Sequence, residues 1–363
     1  MKFKKYVFVL ILFLLFGCST STSNSQDKAE IALITDIGTI DDHSFNQESW
    51  EGIVDFASRN NVTYKYYRPE NKDDNAFYNE IEKAITEGGA RVVVLPGFYF
   101  EATAAKVQDD FPDVNFILID AMPKRADTGD QTIKKNLVPV LFKEEQASYL
   151  AGYVAALEGY TKVGFVGGAK IPSVERYGMG FLKGLQDGAA MKNQTIHIKY
   201  KYTGSFEPST EIQMLGASWY NEGTEIIFAS AGGAGQSIIK AAEDTQKQFI
   251  GVDVDQSYIS ETVVFSATKG IRKTVTDLLE AIQNKSFPGG EVLTVDLNRD
   301  GVGVELSYER LKHVTKEEFN ELVETTQERL NKQTLEIETE HDEFGLEFKE
   351  STTYPNLKID FYR

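Results

Sequence analysis

The sequence predicts an α/β protein built from two similar lobes, each a parallel sheet with helices on both faces. Strand-like apolar runs alternate with helical patterns, the runs fall into two sets of four, and the two sets share nearly the same spacing. The chain is also long enough, at 363 residues, for two or three domains rather than one. In the first set the runs begin near residues 30 (EIALITD), 62 (VTYKYY), 91 (RVVVLPG) and 114 (VNFILID). In the second they begin near 162 (KVGFVGG), 195 (TIHIKYKY), 225 (EIIFAS) and 248 (QFIGVD). The steps are 32, 29 and 23 residues, then 33, 30 and 23. A shift of 132 lays Phe45 on Tyr177 and Gly52 on Gly184, with Asp120 one place before Asp253. Identity between the halves is slight, so the repeat is architectural. In such sheets ligands bind beyond the carboxyl ends of the strands, and two lobes with facing strand ends make a cleft.

Taken in order, the chain opens with a basic segment (Lys2, Lys4, Lys5), the apolar run VFVLILFLLF and the sequence LFGC ending at Cys18. Ten apolar residues are half of the roughly 20 that a membrane-spanning helix needs, so residues 1–17 read as a signal peptide. The Cys resembles that of a bacterial lipobox, where the thiol is diacylated and the peptide is cut before it. Residues 18–27 read as a polar tether. The first lobe is expected over 28–142 plus about 254–290, and the second over 143–253 plus about 291–335. The helical stretch YLAGYVAALEG (149–159) carries small residues at helical spacing and reads as a packing face. A charged helix near 317–333 has an apolar seam at Phe319, Leu322, Val323 and Leu330. Residues 336–363 form an extension that this reading does not place, with alternating segments suggestive of strands.

Composition excludes several functions. A net charge of −17 argues against nucleic acid, whose phosphates call for clustered Lys and Arg. One Cys excludes a disulfide framework, and the four His stand too far apart for a local metal motif. No cofactor and no metal are expected. The turn DIGTIDD is similar to the Asp-rich turn of nucleoside hydrolases, but Ile34 stands where their leading Asp would be and one extra residue separates Gly38 from Asp41. The segment DLNRDGVGVELS begins like a calcium loop, yet its twelfth position is Ser307 and its flanks read as strands.

The segment TDIGTIDDHSFNQESWEG (35–52) follows the first strand and opens the first helix. It resembles the opening motif of the basic membrane protein family of bacterial substrate-binding lipoproteins, whose purine-nucleoside-binding (PnrA-like) members carry an Asp-rich turn followed by Ser-Phe-Asn-Gln. Further matches are EEQASYLAGYVAA, KVGFVGG, YGMGFLKG, FASAGGAG, GVDVDQ and SATKG, spread over residues 30–305. The resemblance implies a two-lobed, periplasmic-binding-protein-like (type I) fold. It also implies a monomeric, non-enzymatic lipoprotein on the extracytoplasmic face of a bacterial cell membrane, delivering a purine nucleoside to the permease of an ABC importer. A sugar receptor, a surface adhesin or signalling protein and a hydrolase are the competing readings, and no helix-turn-helix segment supports a repressor.

Each expected site residue also has a chemical reason. Asp36 ends the first strand, where a carboxylate can accept from two ribose hydroxyls. Phe45 offers an aromatic face to a nucleobase and Asn46 both a donor and an acceptor to its edge. Asp120 and Asp253 end the fourth strand of each lobe and would meet across a closed cleft; helix or turn capping is the plainer role for any of these acids. Phe206, in the TGSFEP loop, is the candidate opposing stack. Gly232 and Gly233 follow the FAS strand, where a missing Cβ lets backbone N–H groups approach a ligand. Lys269 matches a lysine that the relatives aim at the ribose. In the relatives one of the two strand-end acids addresses the base and the other the ribose, so the resemblance implies these roles: Asp36, Asp253 and Lys269 at the ribose, and Phe45, Asn46, Asp120 and Phe206 at the base.

Overall fold

The computed structural model describes residues 28–36, 38–340 and 354–362. The signal segment, Cys18 and the tether lie outside the described residues. Two sheets organise the chain. The first contains β1 (Ile31–Ile34), β2 (Tyr64–Tyr67), β3 (Val92–Pro96), β4 (Asn115–Ile119), β5 (Leu137–Phe142) and, from much later in the chain, β11 (Leu293–Val295), in the order β2-β1-β3-β4-β5-β11. The second contains β6 (Lys162–Gly167), β7 (Ile196–Tyr202), β8 (Ile226–Ser230), β9 (Gln248–Asp253), β10 (Val263–Lys269), β12 (Val302–Leu306) and β13 (Leu357–Tyr362), in the order β13-β7-β6-β8-β9-β10-β12. The first five strands of each sheet thus follow one doubly wound order, as the spacing repeat requires. Among the described strands only the β10–β12 pair is antiparallel.

Strands such as β3 and β8 are buried along their whole length because helices cover both faces, which is why they read as unbroken apolar runs. The first-lobe helices are α1 (Phe45–Asn60), α2 (Asp74–Thr86) and α3 (Glu101–Asp110). Then come α4 (Glu144–Leu157), α5 (Pro172–Met191), α6 (Thr210–Asn221) and α7 (Gly235–Thr245), followed by α8 (Ile271–Gln283) and α9 (Lys316–Asn331). The closest helix pair is α4 on α5. A Cβ on Gly184 would lie 1.9 Å from the Tyr149 carbonyl oxygen, and one on Gly152 2.3 Å from that of Phe181. Glycine there lets two backbones touch.

Over the described residues the chain passes between lobes three times. The first crossing is at Lys143, between β5 and α4. The second comes later than the expected 254, because β10 pairs in parallel with β9 and keeps residues 263–269 in the second sheet. Crossing occurs at Gly270, after which α8 packs on α1, Thr276 Oγ1 donating to the Gly52 carbonyl at 3.0 Å. The third crossing follows β11, which pairs with β5, so the first lobe extends to Val295 rather than 290. Each sheet has a fifth strand that a count of four repeating runs does not include. The extension is also partly placed: β13 adds to the β7 edge, with Phe361 stacked on Tyr200 at 5.5 Å and Tyr354 buried. The charged helix is α9, started by a Thr315–Glu318 capping box, and its Arg329 donates to the Tyr149 hydroxyl at 2.9 Å.

Candidate functional site

The Asp-rich turn is a helix cap. Ser44 stands at the N-cap position of α1, yet its side chain caps nothing and donates to Asp253 Oδ2 at 2.5 Å. Asp42 takes over the capping. Its Oδ1 accepts the backbone N–H groups of Ser44 at 2.9 Å and Gln47 at 3.1 Å, and its Oδ2 accepts that of Asn46 at 3.0 Å. The Asn46 amide nitrogen donates to Asp42 Oδ2 at 3.0 Å and Asp36 Oδ1 at 3.2 Å. Both neighbours are carboxylates and accept only, which fixes the amide orientation and leaves Oδ1 as the buried atom with no hydrogen-bond partner. Asp36 Oδ1 also accepts the Gly38 N–H at 2.7 Å. Burial pushes the Asp42 carboxyl up, against the donors around it.

Opposite this turn lie the two strand-end aspartates. Asp120 has φ +56° and Asp253 φ +64°. For a residue with a Cβ the left-handed region costs of order 1 kcal/mol, and both lobes spend it at the same place. Lys269, the last residue of β10, is buried between them. Its ammonium pairs with Asp120, with Glu144 at 3.1 Å and with Asp253 at 3.6 Å. The rings of Phe45, Tyr177 and Phe142 surround it at 5.0, 5.2 and 5.8 Å. Burial disfavours the ammonium, but the three carboxylates outweigh it and hold Lys269 protonated, above the usual lysine range. Burial pushes Asp120 up to about 7, with Lys269 opposing and Glu144 adding to the rise. Tyr177 donates to Asp253 Oδ1 at 3.2 Å.

A cavity of about 520 Å³ opens between these groups, and all nine residues expected to face a ligand line it. Phe45 comes from the first lobe and Phe206 from the second. A Cβ on Gly168 would fall 2.3 Å from the Phe206 ring and one on Gly232 3.6 Å from it, so these glycines give the ring its seat. Gly233 brings bare backbone to the same wall. Residues that the sequence did not flag also line it, among them Asp42, Arg68, Tyr99, Ile171 and Tyr177. Tyr177 was within reach, since the repeat lays it on Phe45. Between the lobes, Gln256 Nε2 donates to the His43 carbonyl at 2.9 Å, and His43 Nδ1 stands 3.0 Å from the Tyr258 hydroxyl.

Over residues 28–340 the sequence matches the family model described as "Bmp: ABC transporter substrate-binding protein PnrA-like". The chain belongs to the Bmp family. It is therefore an ABC-transporter substrate-binding protein, in a family of binding proteins rather than enzymes. One Bmp relative is the "ABC transporter nucleoside-binding protein BmpA" of Lactococcus lactis subsp. cremoris, 28% identical over 80% of this chain and 87% of its own length. Basic membrane protein D of Borreliella burgdorferi is 28% identical over 90% of this chain and 93% of its own length. Among solved structures, an ABC-transporter solute-binding protein from Aeropyrum pernix K1 superimposes with a TM-score of 0.74 at 20% identity, covering 86% of this chain and 94% of that one. The likeness establishes the two-lobed α/β fold of solute-binding proteins for this Bmp chain.

Proposed function

We propose that the cleft captures a purine nucleoside on the extracytoplasmic face of the cell membrane, with the chain anchored there by a lipid on Cys18, and presents it to an ABC permease. The observation that carries this reading is the pairing of two aromatic side chains, Phe45 and Phe206, with a buried ammonium held by carboxylates in one cavity. Flat apolar rings suit a heterocycle, and carboxylates beside an ammonium suit vicinal hydroxyls, which both donate and accept. The L. lactis relative described as nucleoside-binding adds support. Asp120 changes place within the proposal: bound to the same ammonium as Asp253, it belongs with the sugar subsite rather than the base. Asp36 moves the other way, since it orients Asn46. Phe45 and Phe206 flank the base, Asn46 reads its edge, and Gly232 and Gly233 offer backbone to the ligand.

Calorimetry on the soluble chain from residue 28 tests the reading. Inosine, adenosine or guanosine should bind, while the free bases and ribose alone bind at least about tenfold more weakly, each lacking one half of the recognition. Equal affinity for ribose or another free sugar would replace the nucleoside with a sugar ligand. Steady release of free base at enzyme-like rates would restore the hydrolase reading. Loss of labelled-lipid incorporation in Cys18→Ala checks the anchor.

A further inference from the structure

Glu144 touches the site without lining it. It is the first residue of α4, directly after the first crossing between lobes, and its side chain is wholly buried. Oε1 faces the Lys269 ammonium at 3.1 Å, and Oε2 accepts from Arg176 Nε at 2.5 Å. Lys269 in turn stands one residue before the second crossing at Gly270. The pair therefore ties two of the three described crossings between the lobes.

Three carboxylates share the one ammonium, and they are not equivalent. Asp120 and Asp253 line the cavity, so hydroxyls of a ligand can draw their oxygens away from Lys269. Glu144 lies behind and has no such exchange open to it. A lysine on a four-carbon stem has many rotamers, and a buried ammonium stripped of its counter-charge is costly. Something must keep Nζ charged and in place as its two front partners turn to the ligand. Glu144 has the geometry for that, and Arg176 satisfies its second oxygen.

We propose that Glu144, clamped by Arg176, is a positioning residue that holds Lys269 Nζ at the sugar end of the cavity and remains its counter-charge when ligand binds. This rests on the nucleoside reading above. The test is Glu144→Gln, which keeps shape and removes charge, assayed by calorimetry against a ribonucleoside and its 2′,3′-dideoxy counterpart. The ribonucleoside should bind roughly ten- to a hundredfold more weakly, while the dideoxy ligand changes by less than about threefold. In a Lys269→Met background the Glu144→Gln change should have no further effect, because both act through one ammonium.

A purely structural role would weaken both ligands alike and add to the Lys269→Met loss; either result overturns the inference, as does an unchanged ribonucleoside affinity. Should Glu144→Gln not fold, Arg176→Gln replaces it, with a smaller but still hydroxyl-dependent loss expected and an unselective one sinking the idea. Wild-type protein that binds neither ligand would overturn the nucleoside reading and this inference together. Wild-type binding with an unselective variant overturns this inference alone.

Discussion

At the scale of single residues, Asn46 is the most constrained group in the cavity. Two carboxylates hold its amide nitrogen, so only the carbonyl oxygen is left to read a ligand, and it accepts. A base must then present an N–H at this point. The wild type should accordingly favour inosine or adenosine over purine riboside, whose six-membered ring carries no N–H, by roughly tenfold, the worth of one buried acceptor left unpaired. Asn46→Ala should bind all three within about threefold of one another, because the discriminating atom is gone. Discrimination that survives in Asn46→Ala would place the reading elsewhere. The sequence made Asn46 legible as an edge reader but not its polarity, which depends on Asp36 and Asp42, ten and four residues away in the chain. Glu144 was hidden for a related reason. Within EEQASYLAGYVAA it looks like an acidic first turn of a helix, and only the arrival of Lys269 and Arg176 from other elements makes it part of the site.

At the scale of elements, what was legible is what repeats. Eight strands showed at matched spacings, six of them as apolar runs because both sheet faces are covered, while the more exposed β2 and β7 showed by their β-branched and aromatic residues. The fifth strand of each sheet did not show: LVPVLF contains a proline and VVFSATK breaks into polar residues, so neither continues the pattern. That omission moved the second and third lobe crossings. That α4 presents a packing face was legible, since small residues at helical spacing mark a close approach; its partner α5 was not, and the contact gives a direct prediction. Gly184→Ala would place a methyl within 1.9 Å of a carbonyl oxygen that cannot retreat without moving α4. The expected loss is about 1–3 kcal/mol or more, read as a lower urea midpoint. Gly303→Ala is the control: its methyl would meet nothing nearer than 3.9 Å, and the midpoint should move by less than about 0.5 kcal/mol. Equal effects from the two would mean that the helices are not in backbone contact.

At the scale of the whole molecule, the acidic balance of −17 becomes a statement about pH. Burial, with help from neighbouring carboxylates, pushes Asp120, Glu48 and Glu145 each up to about 7. Glu48 is raised further by Glu51, Asp253 and Asp42, and Arg272 opposes. Glu145 has Glu144 beside it and a buried oxygen without a hydrogen-bond partner. Unfolded, these groups titrate near 4, so between about pH 4 and 7 the folded chain holds more protons than the unfolded one. By linkage their contribution to stability is full below the unfolded value and is lost as pH rises through 7. Protonation also relieves the repulsion of a chain carrying −17, which acts in the same direction. The opposing groups are those held low, such as Glu144, where burial is outweighed by Lys269 and Arg176, and these withdraw stability only on further acidification. The ligand-free protein should therefore melt at a higher temperature near pH 5.5 than at pH 8, and fall again below about pH 4. Glu48→Gln with Glu145→Gln should raise the melting temperature at pH 8 and flatten the rise toward pH 5.5. A melting temperature that climbs steadily from pH 5.5 to 8 in the wild type would mean that these carboxyls are already ionised in the folded protein at pH 5.5 and that burial does not hold their protons.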